Sequence, residues 1–366
     1  MQTAIPFLFM RGGTSRGPYF RREDLPADQD ELTEVLIAAI GAGHPLNIDG
    51  IGGGAAVATK VAMLSASQHK RADIDFFFAQ VAVNERLVDY KPTCGNILSG
   101  VGPAAIEMGL VATCDPETVI RIHAVNTGAL IEVVVQTPGG ALRFYGDVAI
   151  ASVPGTAAPI ALKFMDVVGS STGSLLPTGQ PRDEIDGIEV TCMDVAMPVV
   201  IARAADLGLS GYETAAALDA NKDFFRRIET IRIEAGKRMG MGDVAKAVTP
   251  KFAVLAPPRA GGAIAARYFM PWACHPSMAV TGAQCLASSV LAPGTVADGL
   301  GSKPDGNPAR LTIEHPSGTI DVIVDCDPDA STFTLRSAGL IRTARLLARG
   351  DVMIPGHIWK DAGKTS

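Results

Sequence analysis

The sequence has no closely spaced cysteines, no basic cluster and no long apolar run, and each absence removes a class of function. Its six cysteines stand singly at 94, 114, 192, 274, 285 and 326. Without a CxxC pair there is no zinc-ligand spacing and no disulfide framework, so no metal is expected and a reducing cytoplasm is the expected compartment. With 32 Lys and Arg against 38 Asp and Glu, the formal net charge is −6 and the pI is near 5.6. That balance gives no electrostatic footprint for nucleic acid or an acidic membrane. No uninterrupted apolar run reaches the roughly 18 residues of a spanning helix. The opening MQTAIPFLFMRGG has no charged leader and is cut by Pro6, so a signal peptide is not expected either. What remains is a chain of 366 residues, long enough for about two domains and a large core.

The stretch with most chemical content is Thr93 to Glu107, in which Cys94-Gly95-Asn96 forms a turn running into small apolar residues. This reads as the N-terminus of a buried core helix. Helix N-termini present unpaired backbone N–H groups and partial positive charge, so such a turn can hold a carboxylate and bias a cysteine toward thiolate. Free cysteine is also among the most buried residue types, and the turn by itself is equally explained by an inert core thiol.

Upstream, strands at Ile5 to Met10 and Pro18 to Phe20 flank an RGGTS turn whose glycines let the backbone approach a ligand, with Arg11, Thr14 and Ser15 facing it; an ordinary polar hairpin explains the same residues. A helix is expected from Asp28 to Ala42, with Leu32, Val35, Leu36, Ala39 and Ile40 on one face. The Gly50 to Gly54 loop lacks the third glycine and the strand-turn-helix context of a dinucleotide site. It leads into a strand-like run, Val57 to Leu64, carrying Lys60 among apolar neighbours. Such a lysine either snorkels from a sheet edge or is desolvated, and desolvation favours a neutral amine able to take a proton from carbon. Further strands are expected at 75–83, 118–125, 129–137 and 141–148. Gly169-Ser170-Ser171-Thr172-Gly173 matches GxSxG formally but has no helix behind it, so a serine hydrolase is not expected. The second half, 183–366, offers strands at 187–195 and 199–203 and one long helix from Tyr212 to Met239, with Leu218, Phe225, Ile228, Ile231 and Ile233 toward the core. Strands at 252–256 and 263–269 then lead to a second polar turn, Cys274 to Gly282, that opens a small-residue helix. A basic amphipathic helix at 340–349 and a closing strand at 352–355 complete the expectation.

Four segments together resemble the PrpF family of the diaminopimelate-epimerase-like superfamily. Met10 to Gly17 resembles its "MRGGTSKG" opening, and Ile48 to Gly54 with Thr59-Lys60 resembles its "IDGIGG…SK" segment. The Cys94 turn and the His315-Pro316-Ser317-Gly318 turn resemble the family's cysteine and "EHPSG" turns. The similarity runs from residue 5 to about 355, and within the family it is closest to the 4-oxalomesaconate tautomerase branch.

The resemblance implies an α+β fold of two pseudosymmetric halves, 1–182 and 183–366, each a curved mixed sheet around a central helix, with the site in the cleft between them and the last strand returning to the first half. It implies cofactor-independent 1,3-proton transfer: keto–enol tautomerisation and a double-bond shift on the tricarboxylate 4-oxalomesaconate, in microbial gallate or protocatechuate breakdown. Lys60 and Cys94 would be the catalytic pair. Arg11, Thr14, Ser15, Gly95, Asn96, His275, Thr281, Gly282 and Ser317 would line the substrate, with Thr281 also a candidate helix cap, and a homodimer is left open. Thr93 stands where relatives commonly have Asn and Arg16 where Lys is usual, which bears on the substrate rather than the fold. A 2-methylaconitate isomerase and a non-catalytic polycarboxylate binder are the alternatives.

Overall fold

The computed structural model describes residues 2–91, 93–270, 272–327 and 333–360. The chain divides into two units, residues 1–162 with 341–366, and residues 163–340.

The first unit carries β1 (Gln2–Gly12), β2 (Ser15–Arg21), β3 (Lys60–Ala66), β4 (Ile74–Val81), the two-residue β5 (Val88–Asp89), β6 (Glu117–Ala124), β7 (Ala129–Gln136) and the C-terminal strand β17 (Ala344–Pro355). Its sheet runs β17-β1-β2-β3-β4-β6-β7, with β5 on the far end of β4; the β2–β3 and β4–β6 pairs are parallel and the others antiparallel. The strand β8 (Ile160–Met165) spans the division between the units. The second unit contains β9 (Asp183–Ile185), β10 (Ile188–Asp194), β11 (Pro198–Arg203), β12 (Lys251–Ala256), β13 (Ile264–Phe269), β14 (Ala309–His315), β15 (Gly318–Asp327) and β16 (Thr334–Arg342). They pair in that order, with β11–β12 and β13–β14 parallel. The sequence of senses from β10 to β15 is therefore the one found along β1, β2, β3, β4, β6 and β7. The two units share one topology, which the faint sequence similarity between the halves does not reveal.

Each sheet is covered on both faces. In the first unit, α1 (Gln29–Ile40) buries Leu32, Val35, Leu36, Ala39 and Ile40 against β1, β3, β4 and β17. Such burial stabilises by roughly 1.5–3 kcal/mol for each of the larger side chains. The helix starts at Asp28, whose carboxylate accepts the Asp30 and Glu31 amides at 3.0 Å, and stops at Gly41 in the left-handed region. Two short helices, α2 (Gly95–Leu98) and α3 (Val101–Glu107), pack against β1, β2, β3 and β7. In the second unit, α4 (Ala215–Ala220) and α5 (Lys222–Arg238) take one face and α6 (Val280–Leu291) the other. Hence PVVIAR and KFAVLA read as continuous apolar runs rather than alternating ones: Val199, Ile201, Ala253 and Leu255 meet the α6 core, and Val200, Ala202, Phe252 and Val254 meet the α5 core. Every residue of α6 from Gly282 to Val290 is buried, and its serines satisfy themselves, Ser288 donating to the Gln284 carbonyl and Ser289 to that of Leu286.

Three expectations are corrected. Residues 340–349 form no helix but the end of β16 and the start of β17, because β1 needs a partner along its outer edge and β17 supplies it over 11 residues of β1; this tertiary pairing overrides local propensity. The helix expected over 212–239 is two helices. Asn221 ends α4, and its side chain accepts the Phe224 amide at 3.1 Å to start α5, which turns Phe224 rather than Phe225 fully inward. Residues 141–148 are a loop, tied to the end of β7 by the Arg143 amide, which donates to the Gln136 carbonyl at 3.0 Å, and closed on itself by the isolated Val148–Ala157 bridge; Pro138–Gly140 forms a 3-10 turn rather than a hairpin. In addition, β3 starts only at Lys60, after a 3-10 turn at Ala56–Ala58.

Candidate active site

Sequence segments far apart meet in the first unit. Cys94 is the residue before α2, with extended backbone, and is half-buried; its carbonyl accepts the Leu98 amide at 2.8 Å. From Gly95 to Glu107 the chain stays right-handed but tightens at Ser99–Gly100, where the amides of Ser99 and Gly100 bond three residues back, to Asn96 and Ile97. Pro103, which has no N–H to offer Ser99, accounts for the break between α2 and α3.

The RGGTS turn seats directly on this helix start. A Cβ at Gly12 would stand 2.5 Å from the Asn96 carbonyl oxygen, and Gly13, at φ 53°, lies against the Asn96 side chain, which accepts the Thr14 amide at 3.3 Å. Only glycine permits that approach. Behind the turn, Tyr19 is fully buried and donates to the Ile97 carbonyl at 2.5 Å. Burial, then the neighbouring Cys94, hold the Tyr19 hydroxyl well above its ordinary value, with Arg11 opposing them. Arg11 closes the turn: one nitrogen donates to the Gly13 carbonyl at 2.8 Å and to the Thr343 carbonyl and hydroxyl at 3.0 and 3.1 Å, while burial, then Arg345, lower its pKa. Thr14 is exposed and Ser15 buried.

Lys60 opens β3 directly opposite Gln80 of β4. Its Nζ donates to Gln80 Oε1 at 2.5 Å and stands 5.5 Å from the centre of the Phe78 ring. Gly17 packs on the Lys60 backbone, tying the lysine to the same hairpin that touches Asn96. The glycine loop also converges here: Asn47, nearly fully buried, donates to the carbonyls of Gly41, His44 and Val83 and accepts the Gly54 amide, and the Arg16 guanidinium lies on Gly53. The loop follows the C-terminus of a helix, the reverse of a dinucleotide cradle.

In the second unit, His275, Thr281, Gly282 and Ser317 are placed around the start of α6 and the β14–β15 turn. The His275 amide donates to the Tyr268 carbonyl at 2.7 Å, and its Nδ1 accepts the Ser277 amide at 3.0 Å. Accepting there leaves a neutral ring its N–H on Nε2, and burial lowers the imidazole pKa despite the Ser277 contact. His315 repeats the arrangement, Nδ1 accepting the Ser317 amide at 3.3 Å; its pKa is lowered by burial, with His275 a further, smaller cause. The cap of α6 is Ala279, so Thr281 sits inside the first turn and does not cap it, and Gly282 packs on the Tyr268 ring. Cys274, beside His275, is buried and its thiol is pushed up to about 11 by burial and then Asp219, whereas Cys94 is half-buried. The GSSTG loop is no nucleophile elbow: it wraps buried Asp194, whose carboxylate accepts the Ser171 and Thr172 amides at 2.8 Å and the Ser170 and Thr172 hydroxyls at 3.0 and 2.9 Å.

The PrpF protein family model matches residues 2–355. The chain belongs to the PrpF family. Among its relatives, the Escherichia coli (strain K12) protein named "Putative isomerase YbhH" is 49% identical over 351 residues, 96% of this chain and 99% of that protein. A 4-oxalomesaconate tautomerase from Pseudomonas putida is 46% identical over 358 residues, 98% of each. The crystal structure of a methylitaconate-delta-isomerase superposes with a TM-score of 0.89 at 32% identity, covering 100% of this chain and 99% of that one. This PrpF protein is thus an isomerase with the α+β fold its sequence implied. Sequence reasoning did not single out Gln80, and it named His315 only as part of its turn. For His315 a signal existed, since His-Pro-Ser occurs twice; for Gln80 the signal is cross-strand register, which a single sequence does not display. Among the described residues no three His, Cys, Asp or Glu side chains are grouped to hold a metal ion, and no helix is long and apolar enough to cross a membrane.

Proposed function

We propose that this PrpF isomerase transfers a proton between two atoms of 4-oxalomesaconate, interconverting its keto and enol forms without a cofactor, with Lys60 as the base. The observation that carries the reading is the position of the Lys60 amine: at the first residue of β3, held by an amide oxygen 2.5 Å away and an aromatic ring, in the unit where the RGGTS turn seats on Asn96 and Cys94 begins α2.

A C–H flanked by carbonyl and alkene groups gives its proton to the Lys60 amine, and the electron pair delocalises onto the carbonyl oxygen. The Gly95 and Asn96 amides are proposed to meet that developing charge, and Arg11, Thr14 and Ser15 a substrate carboxylate. Cys94 is proposed to supply the proton at the second position, so that a double bond moves and the substrate neither gains nor loses an atom; the proton left on Lys60 then goes to solvent and Cys94 takes one back, which restores both groups for the next turnover. The similarity to a tautomerase acting on 4-oxalomesaconate favours that substrate.

Lys60→Met tests the base. The variant is expected to keep its affinity for the tricarboxylate within a few-fold while kcat falls by about 10²–10⁴, the usual worth of a general base. Wild-type turnover in Lys60→Met would overturn the assignment.

A further inference from the structure

We propose that Gln80 is the positioning residue of the proton-transfer base, fixing where the Lys60 amine stands while leaving it without a counter-charge. The inference rests on the reading of Lys60 as the base and adds a residue to it.

The geometry of Gln80 admits one amide orientation. Its Nε2 faces four acceptors, the Ala56 carbonyl at 3.2 Å, the Thr59 carbonyl at 3.4 Å, the Thr59 hydroxyl at 3.1 Å and the Val81 carbonyl at 3.1 Å. Nothing but an N–H donor satisfies such a group, so Oε1 is turned toward Lys60 and accepts from Nζ at 2.5 Å. The anchor is itself rigid: Thr59 is fully buried, and its hydroxyl donates to the Val81 carbonyl at 2.7 Å. The register of the β3–β4 pair then places Gln80 directly across from Lys60. One side chain therefore ties the 3-10 turn at 56–58, the start of β3 and the end of β4 to a single point in space, the lysine nitrogen.

The chemistry of the partner matters as much as its place. A carboxylate opposite Lys60 would hold the ammonium form and oppose its service as a base, whereas an amide oxygen accepts a hydrogen bond without a net charge. Among the described residues no Asp or Glu forms an ion pair with Lys60, and the other close neighbour is the Phe78 ring. An amine held at fixed distance from a neutral acceptor can lose and regain a proton without leaving its position. Positional error of the order of 1 Å in a catalytic group can cost about 10²-fold in rate.

The test is the pH dependence of kcat/KM for the wild type, Gln80→Glu, Gln80→Leu and Lys60→Met, with 4-oxalomesaconate as substrate and thermal melts to confirm folding. In Gln80→Glu the acidic limb is expected to move up by about one pH unit or more, with activity recovering toward the wild-type level at high pH. In Gln80→Leu kcat is expected to fall at least tenfold at every pH with KM within about threefold. A folded Gln80→Glu whose limb does not move overturns the proposal. Should that variant fail to fold, a folded Gln80→Leu with wild-type kcat overturns it instead. An inactive Lys60→Met beside an unmoved limb sinks only the role of Gln80; an active Lys60→Met sinks the base and the proposal together.

Discussion

Glu314, at the end of β14, offers the most quantitative test of how the second unit is held. Its carboxylate accepts the Arg259, Ala260 and Gly262 amides at 3.0, 2.6 and 2.9 Å and the Tyr212 hydroxyl at 2.8 Å. Burial by itself would raise its pKa, but the Arg259 and Gly262 amides, the Tyr212 hydroxyl and the Ala260 amide outweigh it and bring the group from 4.5 to about 2. At about 1.36 kcal/mol per unit that drop corresponds to about 3 kcal/mol. Because the 259–261 loop that supplies two of the donors is exposed, solvent screening reduces this, and about 1.5 kcal/mol is the expected stabilisation at pH 7. The sign follows from the lowered pKa: the contribution is complete above the unfolded value near 4.5 and is lost as pH falls toward 2. Glu314→Gln removes the charge with little change of volume. Urea denaturation at a series of pH values should therefore find the variant about 1.5 kcal/mol less stable at pH 7, with the gap closing below pH about 4.5. A gap that is absent at pH 7, or that stays constant down to pH 3, would refute the reasoning.

Two further outcomes concern the first unit. Gly13→Ala forces a left-handed backbone on a residue with a Cβ, at a cost of about 1–2 kcal/mol, and pushes that Cβ into the Asn96 side chain; the melting midpoint should drop by a few degrees and KM should rise, and unchanged values of both would contradict the seating of the turn on α2. Cys94→Ser keeps a group well suited to a helix start, so the fold should survive while kcat falls about 10²-fold if the thiol moves a proton; a fall within threefold would reduce Cys94 to a wall of the pocket.

What the sequence made legible was local or pattern-borne. The helix over 29–40 could be read, two residues too long at its end, from its apolar spacing, and Lys60, Cys94 and the RGGTS turn from short motifs that stand on one unit. What it hid depended on partners distant along the chain. Residues 340–349 look amphipathic and helical until β1 claims them as a strand, and Asn221 looks like an interior helix residue until its side chain caps α5. Polar residues inside the units were the least readable. Asp194 needs the 170–172 loop, and Arg232, 1% exposed, needs Glu229 together with the Val244 and Pro250 carbonyls. Gln80 needs the β3–β4 register, and no composition or spacing marks it beforehand.

Proton NMR of the purified protein with keto 4-oxalomesaconate in deuterated water, beside 2-methylaconitate and without added cofactor or metal, tests the central claim most directly. Deuterium incorporation and conversion of 4-oxalomesaconate, abolished in Lys60→Met, is the predicted result. Conversion of 2-methylaconitate alone would contradict the substrate, and exchange in neither compound would contradict proton transfer as the activity of the site.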